Sequence, residues 1–194
     1  MPPPVSGWLR FDDAWHDGGF LFGRYTMKEI PLTQGRFTIV DDEDFEWANQ
    51  WKWYLNTSGY AVRVDYHQQK RTIYLSRMIC HTPIEMETDH INGNRLDNRE
   101  INLRICTRTQ NRQNRIIHKN NSSGYKGVTF DKRKRKWCAQ IKCSKHIHLG
   151  YFDCLKDAAR AYDLAAKKYF GEFARLNFQF IDSPKDGDVT YVIT

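Results

Sequence analysis

Three alternating runs followed by one alanine-rich helical pattern constrain this chain more than any other feature. "YKGVTF" (125–130), "KWCAQIKC" (136–143) and "HIHLGYF" (146–152) alternate apolar with polar residues, as strands with one buried face do. The basic turn "DKRKRK" joins the first pair and Ser144-Lys145 joins the second, links short enough for antiparallel neighbours. "CLKDAARAYDLAAKKYFG" then places Leu155, Ala158, Ala159, Tyr162, Ala166 and Tyr169 at helical spacing, with Asp153 as the expected cap and Gly171 as the stop. Small alanines let such a helix lie close on a sheet, so a three-stranded meander packed on one helix is expected. In the middle strand Trp137, Ala139 and Ile141 share one face, and Lys136, Cys138, Gln140 and Lys142 share the other.

Charge agrees with a binding role for that sheet. The net charge is +7, yet between Arg104 and His146 there are 13 Lys and Arg against one acid, Asp131. A cationic block of this density, threaded with aromatics, suits a polyanion, with nucleic acid the first candidate; a flat polar and cationic sheet face fits the major groove of double-stranded DNA. Lys132, Arg133, Lys134 and Lys136 in the turn are suited to phosphates, which set position rather than sequence. The five cysteines are odd in number and contain no C-x-x-C pair, which argues against a disulfide framework and against structural zinc. A metal site at Cys143, His146 and His148 lacks a fourth ligand. No apolar run reaches membrane-spanning length and no signal-peptide pattern opens the chain, so an intracellular protein without membrane or small-molecule cofactor is expected.

Upstream, residues 1–26 show no sustained period and read as a poorly ordered leader, with Met27 the effective start. "GRFTIV" reads as a strand and "DDEDFEWANQ" as a short helix with acids in its first turn. "WKWYL" and "YAVRVDY" form a hairpin around Asn56–Gly59, "RTIYL" is a further strand, and "SRMIC" starts a helix capped by Ser76. Leu103 to Cys106 is a short strand, and the capping-box spacing of Thr107 and Gln110 predicts a helix from about Arg108 to His118. "HKNNSSG" (118–124) is the best boundary in the chain.

"ETDHINGNRLDNREINLRICTRTQN", Glu87 to Asn111, carries more asparagine than turns require. If strand, loop, strand and helix fold back, Asp89 and His90 end one strand and Asn111 at the helix start can face Asp89. A carboxylate and an amide carbonyl are hard oxygen ligands, suited to Mg²⁺, with Mn²⁺ as the alternative. His90 is suited to take a proton from an attacking water, and Asn102 to hold the loop or the imidazole.

"DHINGNRLDNREINLRICTRTQN" resembles the HNH endonuclease motif, a ββα-metal fold, in the H-N-N form of phage and intron-encoded homing endonucleases. The resemblance implies Asp89 and Asn111 as metal ligands, His90 as general base and Asn102 as the Asn that braces the loop, with Asn98 and Asn114 the nearest rivals for the central and final Asn. The stretch from Met27 onward resembles the N-terminal part of such proteins. "SGYKGVTFDKRKRKWCAQIKC…HIHLGYFDCLKDAARAYDLAAKKYFGEFARLNF" resembles the Apetala/ethylene-response-factor DNA-binding domain. By position Lys126, Gln140, Lys142, His146 and His148 fall where that family's sheet contacts DNA. Lys126 and Lys142 replace arginines, Gln140 a common Glu and His148 a common Trp, which points to a phosphate-weighted anchor.

The expected fold is therefore α+β: an N-terminal β-rich region leading into a ββα-metal nuclease module, then a small three-stranded antiparallel sheet packed on one α-helix. The expected organisation is a nuclease domain over 27–118 with its core at about 80–118, a linker at 119–123, a DNA-binding domain over 124–178 and a loose tail over 179–194. The expected function is metal-dependent hydrolysis of DNA phosphodiesters by a monomer or weak dimer, a monomer nicking one strand. The competing expectation is a DNA-binding regulator whose nuclease module is inert.

Overall fold

The structure is a computed structural model, described over residues 27–66, 70–118, 120–181 and 190–193. The expected leader 1–26 lies outside these residues. Strands β1 (Met27–Pro31) and β2 (Phe37–Asp41) form an antiparallel hairpin, and β2 runs into α1 (Asp42–Ala48), whose first turn holds Asp42, Glu43 and Asp44 as the helix dipole favours. A three-stranded sheet follows: β3 (Tyr54–Leu55), β4 (Ala61–Asp65) and β5 (Arg71–Tyr74), with β4 central. These elements enclose one core, in which Ile30, Val40, Trp53, Leu75 and Leu103 are fully or nearly fully buried. Trp53 satisfies its indole N–H on the carbonyl of Ala48, at 2.8 Å.

Helix α2 (Leu75–Ile79) begins two residues earlier than expected and has no side-chain cap. Strand β5 enters it directly at Tyr74, so Ser76 lies buried in its first turn rather than at the cap. Next come β6 (Glu87–His90) and β7 (Leu103–Cys106), antiparallel, with Asp89 opposite Arg104 and His90 opposite Leu103. Helix α3 (Arg108–Gln113) carries the expected capping box: Gln110 N–H donates to Thr107 Oγ1 and the Gln110 side chain accepts from Thr107 N–H. It stops at Asn114 rather than near His118. The Asn114 side chain turns inward there, and Lys126 takes up the carbonyls of Gln113 and Arg115 that a longer helix would have used.

The C-terminal half is the expected meander. Strands β8 (Val128–Asp131), β9 (Lys136–Lys142) and β10 (His146–Phe152) form a sheet with β9 central, packed on α4 (Leu155–Phe170). Ala139 and Ile141 are buried against Ala158, Ala159, Tyr162 and Ala166, while Gln140 and Lys142 face solvent. Gly127 has φ +75°, and a Cβ there would lie 1.9 Å from the Tyr162 ring, so only glycine permits this approach of strand to helix. The cap of α4 is Cys154 without a side-chain bond; Asp153 instead pairs with Lys136 at 3.1 Å. Past α4, β11 (Phe178–Ile181) pairs antiparallel with β12 (Thr190–Ile193), so residues 190–193, expected as loose tail, are strand. Among the described residues no helix is long and apolar enough to cross a membrane.

Candidate nuclease site and nucleic-acid interface

Two elements and a loop converge on Asp89 and His90. The β6–β7 hairpin delivers both side chains, and its loop is held by its own asparagines. Asn92 Oδ1 accepts from Asn94 N–H at 2.7 Å, and Asn94 Oδ1 accepts from Leu96 N–H at 3.1 Å. Asn102 closes the loop across its width: its Oδ1 accepts from Asn92 N–H at 2.9 Å and its Nδ2 donates to the Asp97 carbonyl at 2.7 Å. Arg99 grips both carboxylate oxygens of Asp97 at 2.7 Å, which holds that carboxyl below the usual carboxylate range. The far side of the loop is sewn to β2, through Ile39 N–H to Leu96 O and Asn98 N–H to Ile39 O, both 2.8 Å.

Asp89 is 4% exposed and fully engaged. Arg104, its cross-strand neighbour, donates to Oδ2 from Nε at 2.9 Å and from a terminal nitrogen at 2.7 Å. Asn114 Nδ2 lies 3.0 Å from each carboxylate oxygen and also reaches the carbonyls of His90 and Ile91. Asn111 does not meet Asp89; its Nδ2 donates to Glu87 Oε2 at 2.7 Å. Glu87 and Asp89 share a face of β6, two residues apart. His90 is 5% exposed, with Nε2 3.1 Å from Asn98 Oδ1. Its pKa is pulled below the ordinary histidine value, chiefly by burial.

A cavity of about 460 Å³ opens over these groups, lined by Glu87, Asp89 and His90 of β6, by Arg108, Asn111 and Arg112 of α3, and by Arg115 and His118 beyond it. Its lining mixes the carboxylates of Glu87 and Asp89 with the guanidinium groups of Arg108, Arg112 and Arg115. Among the described residues no three His, Cys, Asp or Glu side chains cluster as a metal site. Asp89, Glu87 and Asn111, all lining this cavity, carry hard oxygens of the kind a divalent cation takes.

The sheet face presents Gln140, Lys142, His146 and His148 outward, with His146 opposite Lys142 and His148 opposite Gln140. A bulge between His148 and Gly150 restores the phase, so Tyr151 joins that outward face, 4.6 Å from His148 and under the Lys134 ammonium at 3.7 Å. Lys132, Arg133 and Lys134 are exposed on the turn, whose shape is fixed by Asp131 Oδ1 accepting from the backbone of Arg133 and Lys134. Lys126 is placed otherwise: half-buried, its ammonium donates to the carbonyls of Gln113 and Arg115. A second cleft, lined by Arg112, Arg115 and His118 together with Gln140, Lys142 and His146, runs from the sheet to the wall of the first cavity.

Comparison with known proteins accounts for both halves. The HNH endonuclease family model matches residues 82–113 and the AP2 domain model residues 123–172. An uncharacterized HNH endonuclease of Acanthamoeba polyphaga mimivirus is 32% identical over 146 residues, 74% of this chain and 76% of the viral protein. The chain belongs to the HNH endonuclease family. Protein 3.8 of Escherichia phage T7 is 32% identical over 88 residues, 45% of this chain and 72% of its own. APETALA2-like protein 2 of rice is 47% identical over 66 residues, 34% of this chain but only 15% of the plant protein. The HNH endonuclease thus carries an AP2 domain behind its nuclease motif.

Several residues that shape the HNH site escape its motif. Arg104 is opposite Asp89 only once the β6–β7 register is known. Thr38, which binds Asn98, lies 60 residues upstream of it and carries no local signal. Glu87 could have been found, because strand alternation puts it on the face of Asp89.

Proposed function

We propose that this HNH endonuclease hydrolyses phosphodiester bonds of duplex DNA with a divalent metal, Mg²⁺ before Mn²⁺. The nuclease domain spans 27–118 and joins a DNA-anchoring AP2 domain at 124–178 through the linker 119–123. The observation that carries this reading is a buried, neutral-leaning His90 beside Asp89, in a cavity that Arg108, Arg112 and Arg115 also line. The AP2 sheet, through Gln140, Lys142, His146 and His148, and the turn at Lys132, Arg133, Lys134 and Lys136 hold the duplex. The cleft shared with Arg112 and Arg115 leads its backbone to the cavity. His90 removes a proton from water, the hydroxide oxygen bonds to phosphorus, and the P–O bond to the leaving sugar oxygen breaks. Asp89 and Asn111, with Glu87 at hand, would hold the cation, which when bound supplies positive charge at the leaving oxygen. Asn102 keeps the loop that carries His90 in shape. One such site per chain cuts one strand per encounter, so a monomer nicks.

Supercoiled plasmid with Mg²⁺ or Mn²⁺ tests the reading. Wild type converts it to open circle, and His90→Ala does not. Equal nicking by both would remove His90 from the chemistry, and tight DNA binding without cleavage would favour a regulator.

A further inference from the structure

Cationic side chains cross between the AP2 domain and the nuclease site, and two of them end on the loop and carboxylate described above. Arg104, already on Asp89 Oδ2, donates with its other terminal nitrogen to the carbonyl of Glu172 at 2.8 Å and lies 4.1 Å from the centre of the Phe173 ring. Arg175 reaches back from the AP2 side to the carbonyls of Asn92 at 3.1 Å and Ile91 at 3.4 Å. These carbonyls belong to the turn immediately after His90, the turn closed by Gly93 N–H on the His90 carbonyl at 2.9 Å. Gly93 itself sits under Ile116 and Arg175, where a Cβ would lie 3.0 Å from Ile116.

This arrangement differs from a tethered anchor. A flexible tether raises local concentration but leaves the site's geometry alone. Here one side of the Asp89 carboxylate is held by a guanidinium whose own position is set by Glu172 and Phe173. Phe173 is buried in the short 3-10 turn Gly171–Phe173 that follows α4 and packs on it, so its position follows that helix.

We infer that the segment Gly171–Arg175 of the AP2 domain is a structural part of the cleavage site. Through Arg104 it orients Asp89, and through Arg175 it holds the turn behind His90, so the AP2 domain governs turnover as well as DNA affinity. This rests on the nuclease reading above. Arg104 and Arg175 are positioning residues: each acts through a neighbour.

The test uses the full chain with Arg175→Ala and Arg175→Gln, and Arg175→Lys as the conservative rescue. Three measurements are made: cleavage kinetics on duplex DNA for kcat and KM, duplex affinity by anisotropy, and hydrogen exchange at the Ile91 and Gly93 amides. The Ala and Gln variants should lose kcat on the order of tenfold or more, as small displacements of catalytic groups do. Duplex affinity should change less than about twofold by our proposal, since Arg175 spends its donors on protein carbonyls. Gly93 exchange should rise while amides of the buried strand β9 stay protected, and Lys should recover part of both effects. A loss confined to affinity, with kcat and Gly93 exchange at wild-type values, would overturn the inference. If wild type cleaves nothing, the nuclease reading fails. Unchanged Gly93 exchange in the variants then still refutes the structural coupling, and raised exchange still supports it.

Discussion

Asn98 Nδ2 donates to Thr38 Oγ1 at 2.7 Å, in a fully buried pairing of two residues 60 apart in sequence. Thr38 has already committed its own hydroxyl proton to the Leu96 carbonyl at 2.8 Å, so its oxygen can only accept from Asn98. That fixes the Asn98 amide, turns its Oδ1 toward His90 Nε2 and makes Nε2 the protonated nitrogen. In the reaction proposed above, the lone pair left on Nδ1 would take the proton from water.

Thr38→Val keeps the shape and removes the acceptor. It should destabilise the fold by about 1–3 kcal/mol, the cost of a buried donor left unmade. It should also lower kcat on the order of tenfold, with Thr38→Ser near wild type, because a mis-set base costs turnover. Nitrogen chemical shifts of His90 should report the Nε2–H tautomer in wild type. A predominantly Nδ1–H imidazole would refute the relay.

The same burial sets a pH dependence. His90 titrates below the ordinary value of ~6.5, burial outweighing the opposing pull of Asn98, Asp89 and Asp97. A general base must be neutral, so the acid limb of kcat should have its midpoint below ~6.5. Stability follows the same sign. As pH falls through ~6.5 the unfolded chain takes up a proton that folded His90 refuses, so stability falls until the folded value is reached and then levels. An acid limb centred above ~6.5 would assign the limb to another group.

Much of this was legible in the sequence where periodicity or local spacing carried it. The meander, the alanine helix, the Thr107–Gln110 capping box and the Asp89-His90 strand end all follow from residues within a turn or a strand of each other. What depends on cross-strand register or distant contact was not. Spacing gave no sign that Arg104 would occupy one side of Asp89, that Thr38 would orient Asn98, or that Lys126 would face inward. The caps at Ser76 and Asp153 failed for the same kind of reason: β5 feeds straight into α2 and fixes its start, while Asp153 is drawn across to Lys136 on β9.

Asn111 and Asn114 should separate by what they cost. Asn114 is buried and braces Asp89, His90 and Ile91 together, so Asn114→Ala should lower stability by about 1–3 kcal/mol and take activity with it. Asn111 is half-buried with a single bond to Glu87, so Asn111→Ala should change stability by less than about 1 kcal/mol yet weaken metal activation of cleavage. Thermal melts and metal titrations of nicking decide it. Metal activation unchanged in Asn111→Ala would pass the ligand role to Glu87 and Asp89 alone.

The lysines of the AP2 domain offer the last contrast. Lys142 is exposed on the outward sheet face, whereas the Lys126 ammonium is half-buried on two carbonyls, with its pKa drawn down to about 8 by burial and by Arg175. A cation that neutralises a phosphate releases a counterion, and removing it reduces the salt slope of duplex affinity by about 1. Lys142→Ala should therefore flatten that slope by about one unit. Lys126→Ala should leave the slope unchanged and instead lower the melting temperature, because the carbonyls at the end of α3 lose a charged donor worth about 1.5–3 kcal/mol. Affinities measured between low and physiological salt distinguish the two. A flattened slope in Lys126→Ala would show that this lysine leaves its carbonyls for the phosphate backbone when DNA binds.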